Sequence, residues 1–176
     1  MQLLASRSVK RGEFTLASGR PSSLYIDARL TTMSPEGLRL VGSLGLAALR
    51  DAAWDVQSIG GLTLGADPIA YAIAYASAST AAPLRAFTVR KEAKTHGAAR
   101  RIEGPFREGD HVAIVEDVIT TGGSAIKAIE AVAEAGGVIA GVLAVVDREE
   151  GGREALESRG VRVIALTRVS QLITTG

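Results

Sequence analysis

The sequence predicts a single α/β domain with a doubly wound, mainly parallel sheet and helices on both faces. Apolar segments of strand character alternate along the chain with segments of helical apolar spacing. Residues 138–146 form an almost continuous apolar run, which is typical of a strand covered on both faces. No internal repeat or linker interrupts the 176 residues, so we expect one domain over residues 1–176.

Local signals place the elements in order along the chain. Runs rich in β-branched and apolar residues predict the strands, and apolar residues at helical spacing predict the helices. The predicted strands are residues 14–16, 23–27, 56–59, 84–89, 111–115, 138–146 and 161–166. The predicted helices begin at residues 34–35 and 67–68 or span residues 124–135 and 154–159, and a final turn covers residues 169–173.

Two helix starts carry recognisable capping chemistry. Ser34 and Pro35 are suited to the cap and first turn of a helix, and Asp67 followed by Pro68 makes a similar start. In the helix over residues 124–135, the inward-facing residues are expected to be Ile126, Ile129 and Val132.

Composition excludes several classes of function. The chain has no Cys and two His, which excludes thiolate zinc sites and cysteine nucleophiles and disfavours a histidine metal cage. A net charge of +1, one Trp, three Tyr and three Phe argue against nucleic-acid binding. Residues 68–84 are uncharged but contain serines and prolines, so no membrane span or targeting segment is expected. We expect a soluble, cytoplasmic protein.

The strongest functional pattern is the string over residues 112–124, VAIVEDVITTGGS. An apolar strand ends in two carboxylates, Glu116 and Asp117, and a hydroxyl- and glycine-rich turn leads into a helix. Glycines and hydroxyls at a helix N-terminus can cradle a phosphate, whereas two carboxylates are suited to accept hydrogen bonds from sugar hydroxyls. The pattern therefore predicts a phosphorylated sugar as ligand.

Two further segments are ambiguous when considered alone. Residues 90–108 contain six Lys/Arg and three Glu, which fits either a solvated face or a loop facing a pyrophosphate. Arg148 follows the 138–146 strand and fits either an ordinary surface ion pair or a carboxylate-binding guanidinium. The glycines of residues 60–68 could allow backbone N–H groups to approach a phosphate, or could serve only the helix start.

The 112–124 string resembles the phosphoribosyl pyrophosphate (PRPP) signature of type I phosphoribosyltransferases. Residues 87–97, FTVRKEAKTHG, resemble the corresponding stretch of orotate phosphoribosyltransferases, and residues 14–20, 60–68 and 145–148 agree. The resemblance extends from about residue 12 to about residue 150 and implies the type I fold with a small N-terminal hood. It also implies Mg²⁺-dependent transfer of the phosphoribosyl group from PRPP to orotate by a homodimer with shared active sites.

The resemblance assigns roles by position. Lys94, His96 and Asp117 are the implied catalytic residues, and Thr120 and Arg148 the implied orotate contacts. The implied PRPP-binding residues are Arg90, Lys91, Lys94, His96, Glu116, Asp117, Val118, Ile119, Thr120, Thr121, Gly122, Gly123 and Ser124. No dedicated protein metal site is expected, because substrate and water would hold most of the Mg²⁺ coordination shell.

Two departures from the family pattern concern the substrate site. Ala17 and Leu64 stand where many relatives carry lysine. A purine phosphoribosyltransferase would share the PRPP signature, but residues 90–97 and Arg148 disfavour it. A non-catalytic PRPP sensor that binds nucleic acid is disfavoured by the charge balance and the lack of spare length.

Overall fold

The computed structural model describes residues 1–15, 21–92 and 101–173. Its strands are β1 (Val9–Thr15), β2 (Pro21–Ile26), β3 (Ser58–Leu62), β4 (Arg85–Val89), β5 (Ile102–Glu103), β6 (His111–Ile119), β7 (Val138–Asp147) and β8 (Val163–Arg168). Its helices are α1 (Gln2–Ser8), α2 (Arg29–Thr32), α3 (Pro35–Asp51), α4 (Ala66–Ser77), α5 (Gly123–Glu134), α6 (Gly152–Glu157) and α7 (Val169–Ile173).

The main sheet has six strands in the order β5-β4-β3-β6-β7-β8. All neighbouring pairs are parallel except β4 and β5, so the carboxyl ends of β3, β4, β6, β7 and β8 meet at one edge. Loops at that edge are where ligands bind in open α/β sheets. The hairpin β1–β2 forms a separate two-stranded sheet, which matches the expected N-terminal hood.

Helices cover both faces of the sheet, as predicted. Alternate residues of the central strand β6 pack against opposite helix layers. Val112 and Ile114 pack with α5 and α6, whereas Ala113 and Val115 pack with α1, α3, α4 and α7. This alternation explains the continuous apolar run over residues 138–146, because β7 is buried on both faces.

Several predicted element limits were wrong. The central strand β6 continues to Ile119 rather than ending at residue 115, because Glu116, Val118 and Ile119 still pair with β7. Helix α4 begins at Ala66, and the Asp67 carboxylate accepts the hydroxyls of Thr63 and Thr88 instead of capping the helix. Helices α1 and α2 were not predicted.

Other local predictions were confirmed. The Ser34 hydroxyl accepts the backbone N–H of Gly37 and so caps α3. In α5, Val132 is buried as predicted, but the face in closest contact with the sheet consists of alanines. Ile126 and Ile129 are half-buried beside it, since small side chains let the helix approach the strands closely.

A matched pair of substitutions in β7 tests the burial of the central sheet. Val142 is fully buried, whereas Val138 is 50 % exposed on the same strand. Val142→Ala should lower the free energy of unfolding by roughly 2–3 kcal/mol through lost burial and a residual cavity. Val138→Ala should change it by less than about 0.5 kcal/mol. Urea unfolding of both variants measures the difference, and equal losses would contradict the assigned burial.

Candidate active site

A cavity of about 460 Å³ opens at the carboxyl edge of the sheet. Three groups of residues line it: the hood and the segment after it, the turn after β3, and the ends of β6 and β7 with the loops that follow. The lining residues are Tyr25, Ile26, Asp27, Arg29, Leu62, Thr63, Leu64, Gly65, Lys91, Glu116, Asp117, Val118, Thr120, Thr121, Ser124 and Arg148. The fold thus gathers residues from distant parts of the sequence around one space.

The turn between β6 and α5 forms one wall. Gly122 is the N-cap of α5 with a φ of 81°, a left-handed conformation that favours glycine, and it has no side chain to cap the helix. The first N–H groups of α5 therefore remain available to an anion, with the hydroxyls of Thr120, Thr121 and Ser124 nearby. A smaller cavity of about 80 Å³ lies against this turn.

Glu116 and Asp117 project from the last half of β6. The Glu116 side chain is buried, and its Oε2 atom has no hydrogen-bond partner among the described residues. Burial raises the pKa of Glu116 well above its ordinary value, and the neighbouring Asp117 carboxylate raises it further. Burial also raises the pKa of Asp117, although the N–H of Val118 and the charge of Arg29 oppose that rise.

The turn after β3 packs directly against this acidic pair. A Cβ atom at Gly65 would lie 2.7 Å from the Asp117 carboxylate, so only glycine fits there without displacing Asp117. Thr63 is held by its hydroxyl, which donates to Asp67 at 2.6 Å, and the Thr63–Leu64 peptide bond is cis. The space that Gly65 leaves is therefore filled by the Asp117 carboxylate, whereas its φ of −63° at the start of α4 is one that any residue adopts.

Arg148 also lines the cavity. Its guanidinium is buried, with Nη2 2.8 Å from Glu150 Oε1 and 3.4 Å from the hydroxyl of Ser22 in the hood. Nε has no partner among the described residues. A largely buried guanidinium with donor capacity beside a cavity is suited to bind a carboxylate.

The structure brings together many of the predicted site residues but not all. Lys91, Glu116, Asp117, Val118, Thr120, Thr121, Ser124 and Arg148 line the main cavity. Ile119, Gly122 and Gly123 border the smaller one, and the Ile119 side chain is buried in the core. Arg90 is absent from the described lining and pairs instead with Glu103 at 3.5 Å. Ala17, Lys94 and His96 lie outside the described residues.

Four lining residues in and after the hood were missed from the sequence. Tyr25 and Ile26 are the last two residues of β2, Asp27 and Arg29 follow that strand, and Arg29 Nε lies 2.8 Å from Asp27 Oδ1. The charged residues at the end of a predicted strand were the available signal, but nothing in the sequence indicated that the hood would fold over the sheet edge. Leu64 and Gly65 belonged to the segment that the sequence left ambiguous.

The described residues contain no group of three or more His, Asp and Glu that could hold a metal ion. None of the helices in the described ranges has the length and apolarity that a bilayer crossing requires.

Comparison with known proteins identifies the family. An orotate phosphoribosyltransferase of Aquifex aeolicus is 46% identical over 175 residues, which cover 98% of this chain and 94% of the relative. The chain belongs to the orotate phosphoribosyltransferase family. A relative of the same name from Rhodopseudomonas palustris is 48% identical, covering 97% of this chain and 92% of the relative. No protein-family model matches the chain.

A solved structure of the family supports the same assignment. The orotate phosphoribosyltransferase of Mycobacterium tuberculosis in complex with PRPP superposes with a TM-score of 0.81 at 40% identity. The match covers 97% of this chain and 94% of the other. The predicted type I phosphoribosyltransferase fold is thereby confirmed.

The buried acidic pair should make stability depend on pH. A carboxyl whose pKa is higher in the folded than in the unfolded chain costs stability as the pH rises above about 4.3, the ordinary value for Glu. Glu116→Gln removes this cost. The melting temperature of the variant should exceed that of the wild type at pH 7.5, and the gap should shrink towards pH 4.5.

Differential scanning fluorimetry of the ligand-free protein across this pH range measures the effect. Glu134→Gln, an exposed substitution on α5, serves as the matched control and should show little pH-dependent difference. A Glu116→Gln melting temperature at or below that of the wild type at pH 7.5 would contradict the proposed cost of burial.

Proposed function

We propose that this chain transfers the 5-phosphoribosyl group from PRPP to N1 of orotate, a step of de novo pyrimidine (UMP) biosynthesis, in the cytoplasm. The bond between ribose C1 and the pyrophosphate oxygen breaks, a C1–N1 bond forms, and orotate N1 loses its proton. The products are orotidine 5′-phosphate, pyrophosphate and that proton. One observation carries the proposal within this family. An uncapped helix N-terminus, an acidic pair of which Glu116 is buried, and a buried arginine line one cavity of about 460 Å³.

The 5′-phosphate fits the turn from Thr120 to Ser124. The N–H groups at the start of α5 and the nearby hydroxyls supply donors, and the positive end of the helix dipole favours the negative charge. Glu116 and Asp117 then face the ribose, where carboxylates accept hydrogen bonds from hydroxyl groups. Binding of these hydroxyls would supply the partner that Glu116 Oε2 lacks among the described residues.

Orotate carries a carboxylate, and Arg148 is the group suited to bind it. The guanidinium is already oriented by Glu150 and Ser22, so little side-chain freedom remains to be lost on binding. Thr120 lines the same cavity and supplies a hydroxyl towards the base. Positioning and electrostatic stabilisation then drive the reaction without a covalent nucleophile.

The acidic pair also fits Mg²⁺, which prefers oxygen ligands and keeps several waters. Asp117 and Glu116 are the described carboxylates that line the cavity apart from Asp27, which is paired with Arg29. When bound with PRPP, the ion would neutralise pyrophosphate charge. Because the described residues form no larger ligand cluster, the substrate and water would complete the coordination.

The leaving pyrophosphate requires cations. Lys91 lines the cavity, and we assign it this role together with Lys94 and His96. Arg90 pairs with Glu103 in the isolated chain, so its part in PRPP binding would require that exposed pair to open. The resemblance implies a lysine at the position of Leu64, and we propose that Lys91, which lines the cavity together with Arg29 and Arg148, supplies the missing positive charge.

Arg148 provides the test of substrate choice. The purified protein with PRPP and Mg²⁺ should turn over orotate, but not uracil, adenine, guanine or hypoxanthine. Arg148→Ala should raise the KM for orotate by roughly tenfold to a hundredfold, because a charged hydrogen bond of about 1.5–3 kcal/mol is lost. The KM for PRPP should change far less.

Arg159→Ala is the matched control, since Arg159 is exposed after α6. It should leave both KM values near those of the wild type. Turnover of a purine base in place of orotate would contradict the proposed function. Equal increases in both KM values for Arg148→Ala would assign Arg148 a general structural role.

We also propose that the protein is a homodimer with shared active sites. Tyr71 and Tyr75 lie four residues apart on α4 and are 51% and 85% exposed. Exposed aromatic side chains on one helix are suited to an interface with a second copy. The basic segment after β4 would then reach the neighbouring cavity.

Subunit complementation tests the shared site. Lys94→Ala and Asp117→Asn should each lower kcat/KM by roughly tenfold or more when alone. If Lys94 serves the neighbouring subunit, a mixed dimer contains one site with both wild-type residues. Mixing the two variants should then recover activity well above either parent. No recovery after subunit exchange, verified by mass spectrometry of labelled chains, would contradict sharing.

A further inference from the structure

Arg153 is bound to three parts of the chain from outside the main cavity. Its Nε atom lies 2.8 Å from Asp147 Oδ2 at the end of β7. Its Nη1 atom donates to the Val163 carbonyl at 3.0 Å, at the start of β8, and lies 3.3 Å from Glu157 Oε1 on α6. Arg153 is not among the described residues that line the cavity. It therefore connects α6 to both strands without facing the ligand space.

The Asp147 side chain links Arg153 to the loop that contains Arg148. Its side chain is almost fully buried, and the second carboxylate oxygen accepts the N–H of Glu149 at 2.8 Å. Glu149 adopts a φ of 58°, an uncommon conformation for a residue other than glycine, which needs support from its surroundings. Because a buried carboxylate must be paired, Asp147 can hold this turn only while Arg153 balances its charge.

Arg148 lies between the two ends of that turn. Its backbone N–H donates to the Ile119 carbonyl at 3.0 Å, which ties it to the last residue of β6. On the other side, the Glu149 carboxylate accepts the N–H of Ser170 at 2.9 Å, in the first turn of α7. The loop around Arg148 is thus fixed on both sides, while Glu150 and Ser22 orient the guanidinium itself.

The start of α6 also contacts the phosphate turn. A Cβ atom at Gly152 would lie 2.6 Å from the Thr120 carbonyl and 2.9 Å from the Gly122 nitrogen. The residue beside Arg153 therefore packs against the turn from Thr120 to Ser124. One short helix contacts the two parts of the site to which we assign the phosphate and the orotate carboxylate.

We propose that Arg153 is a positioning residue that fixes the Arg148 guanidinium relative to the phosphate turn. It does so through the Asp147 carboxylate and the anchored start of α6. The inference rests on the proposed function, because it concerns the distance between two groups of one substrate complex. A misplacement of about 1 Å can cost a well-oriented site up to a hundredfold.

Steady-state kinetics of Arg153→Met test the role. Methionine keeps much of the side-chain length but cannot pair with Asp147 or bind Val163. We expect the KM for orotate to rise roughly tenfold, with a change in the KM for PRPP of less than about threefold. KM does not depend on the concentration of active enzyme. Partial loss of folded protein would therefore not change the KM ratio, which is the KM for orotate divided by the KM for PRPP.

Arg153→Lys supplies the conservative variant. A lysine ammonium can pair with Asp147 but cannot also reach Val163, so the KM for orotate should fall between those of wild type and Arg153→Met. In the Asp147→Asn, Arg153→Met double variant, the neutral amide needs no counter-charge and its oxygen can still accept the Glu149 N–H. The KM for orotate should therefore fall below that of Arg153→Met alone.

Arg162→Met is the matched control. Arg162 also supports β7, donating to the Ala140 carbonyl at 3.1 Å and stacking on Trp54, but it contacts the first half of β7 and not Asp147 at the end of that strand. It should lower the melting temperature and leave the KM ratio unchanged. The inference is overturned if Arg153→Met, or Arg153→Lys should the former not fold, leaves the ratio unchanged. A wild-type protein that does not turn over orotate would instead contradict the proposed function.

Discussion

The site depends on two adjacent carboxylates held in the last half of the central strand β6. Pairing with β7 keeps Glu116 and Asp117 in a strand, so both are drawn into a largely dry environment in which ionisation is costly. The residues around the two carboxylates accommodate them. Gly65 leaves room for the Asp117 carboxylate, the Val118 N–H donates to it, and Arg29 provides opposite charge.

A buried group of opposite charge, Arg148, lines the same cavity as the acidic pair. Arg148 is paired with Glu150, yet its Nε, like Glu116 Oε2, lacks a partner in the part of the chain that the structure describes. Unsatisfied buried polar atoms cost stability, and they are tolerated where a ligand completes them. A ligand with hydroxyls at one end and a carboxylate at the other would satisfy both atoms at once.

The fold and the centre of the site could be predicted from sequence because both depend on local patterns. Alternating apolar segments gave the sheet, and the string over residues 112–124 contains the carboxylates, glycines and hydroxyls in one continuous stretch. Tyr25, Asp27 and Arg29 were missed because their place depends on how the hood folds over the edge, which is a tertiary contact. The predicted strand ended at residue 115 because charged residues follow it, whereas pairing with β7 extends β6 through Glu116 and Asp117 to Ile119.

The amino and carboxyl ends of the main sheet differ in how their charged groups are paired. At the amino end, Asp110 pairs with Arg85 and accepts the Arg107 N–H, and Trp54 stacks under Arg162, so these charges are paired or stacked within the chain. Arg85 Nε and Ser58 Oγ nevertheless lack a partner among the described residues. At the carboxyl end, Arg153 matches the charge of Asp147 but lies behind the cavity, while the groups facing the cavity keep donors and acceptors unused. When the cavity is empty, no ligand holds the side chains that face it in position. Contacts outside the cavity, such as the Arg153–Asp147 pair, persist in that state and keep these side chains in place.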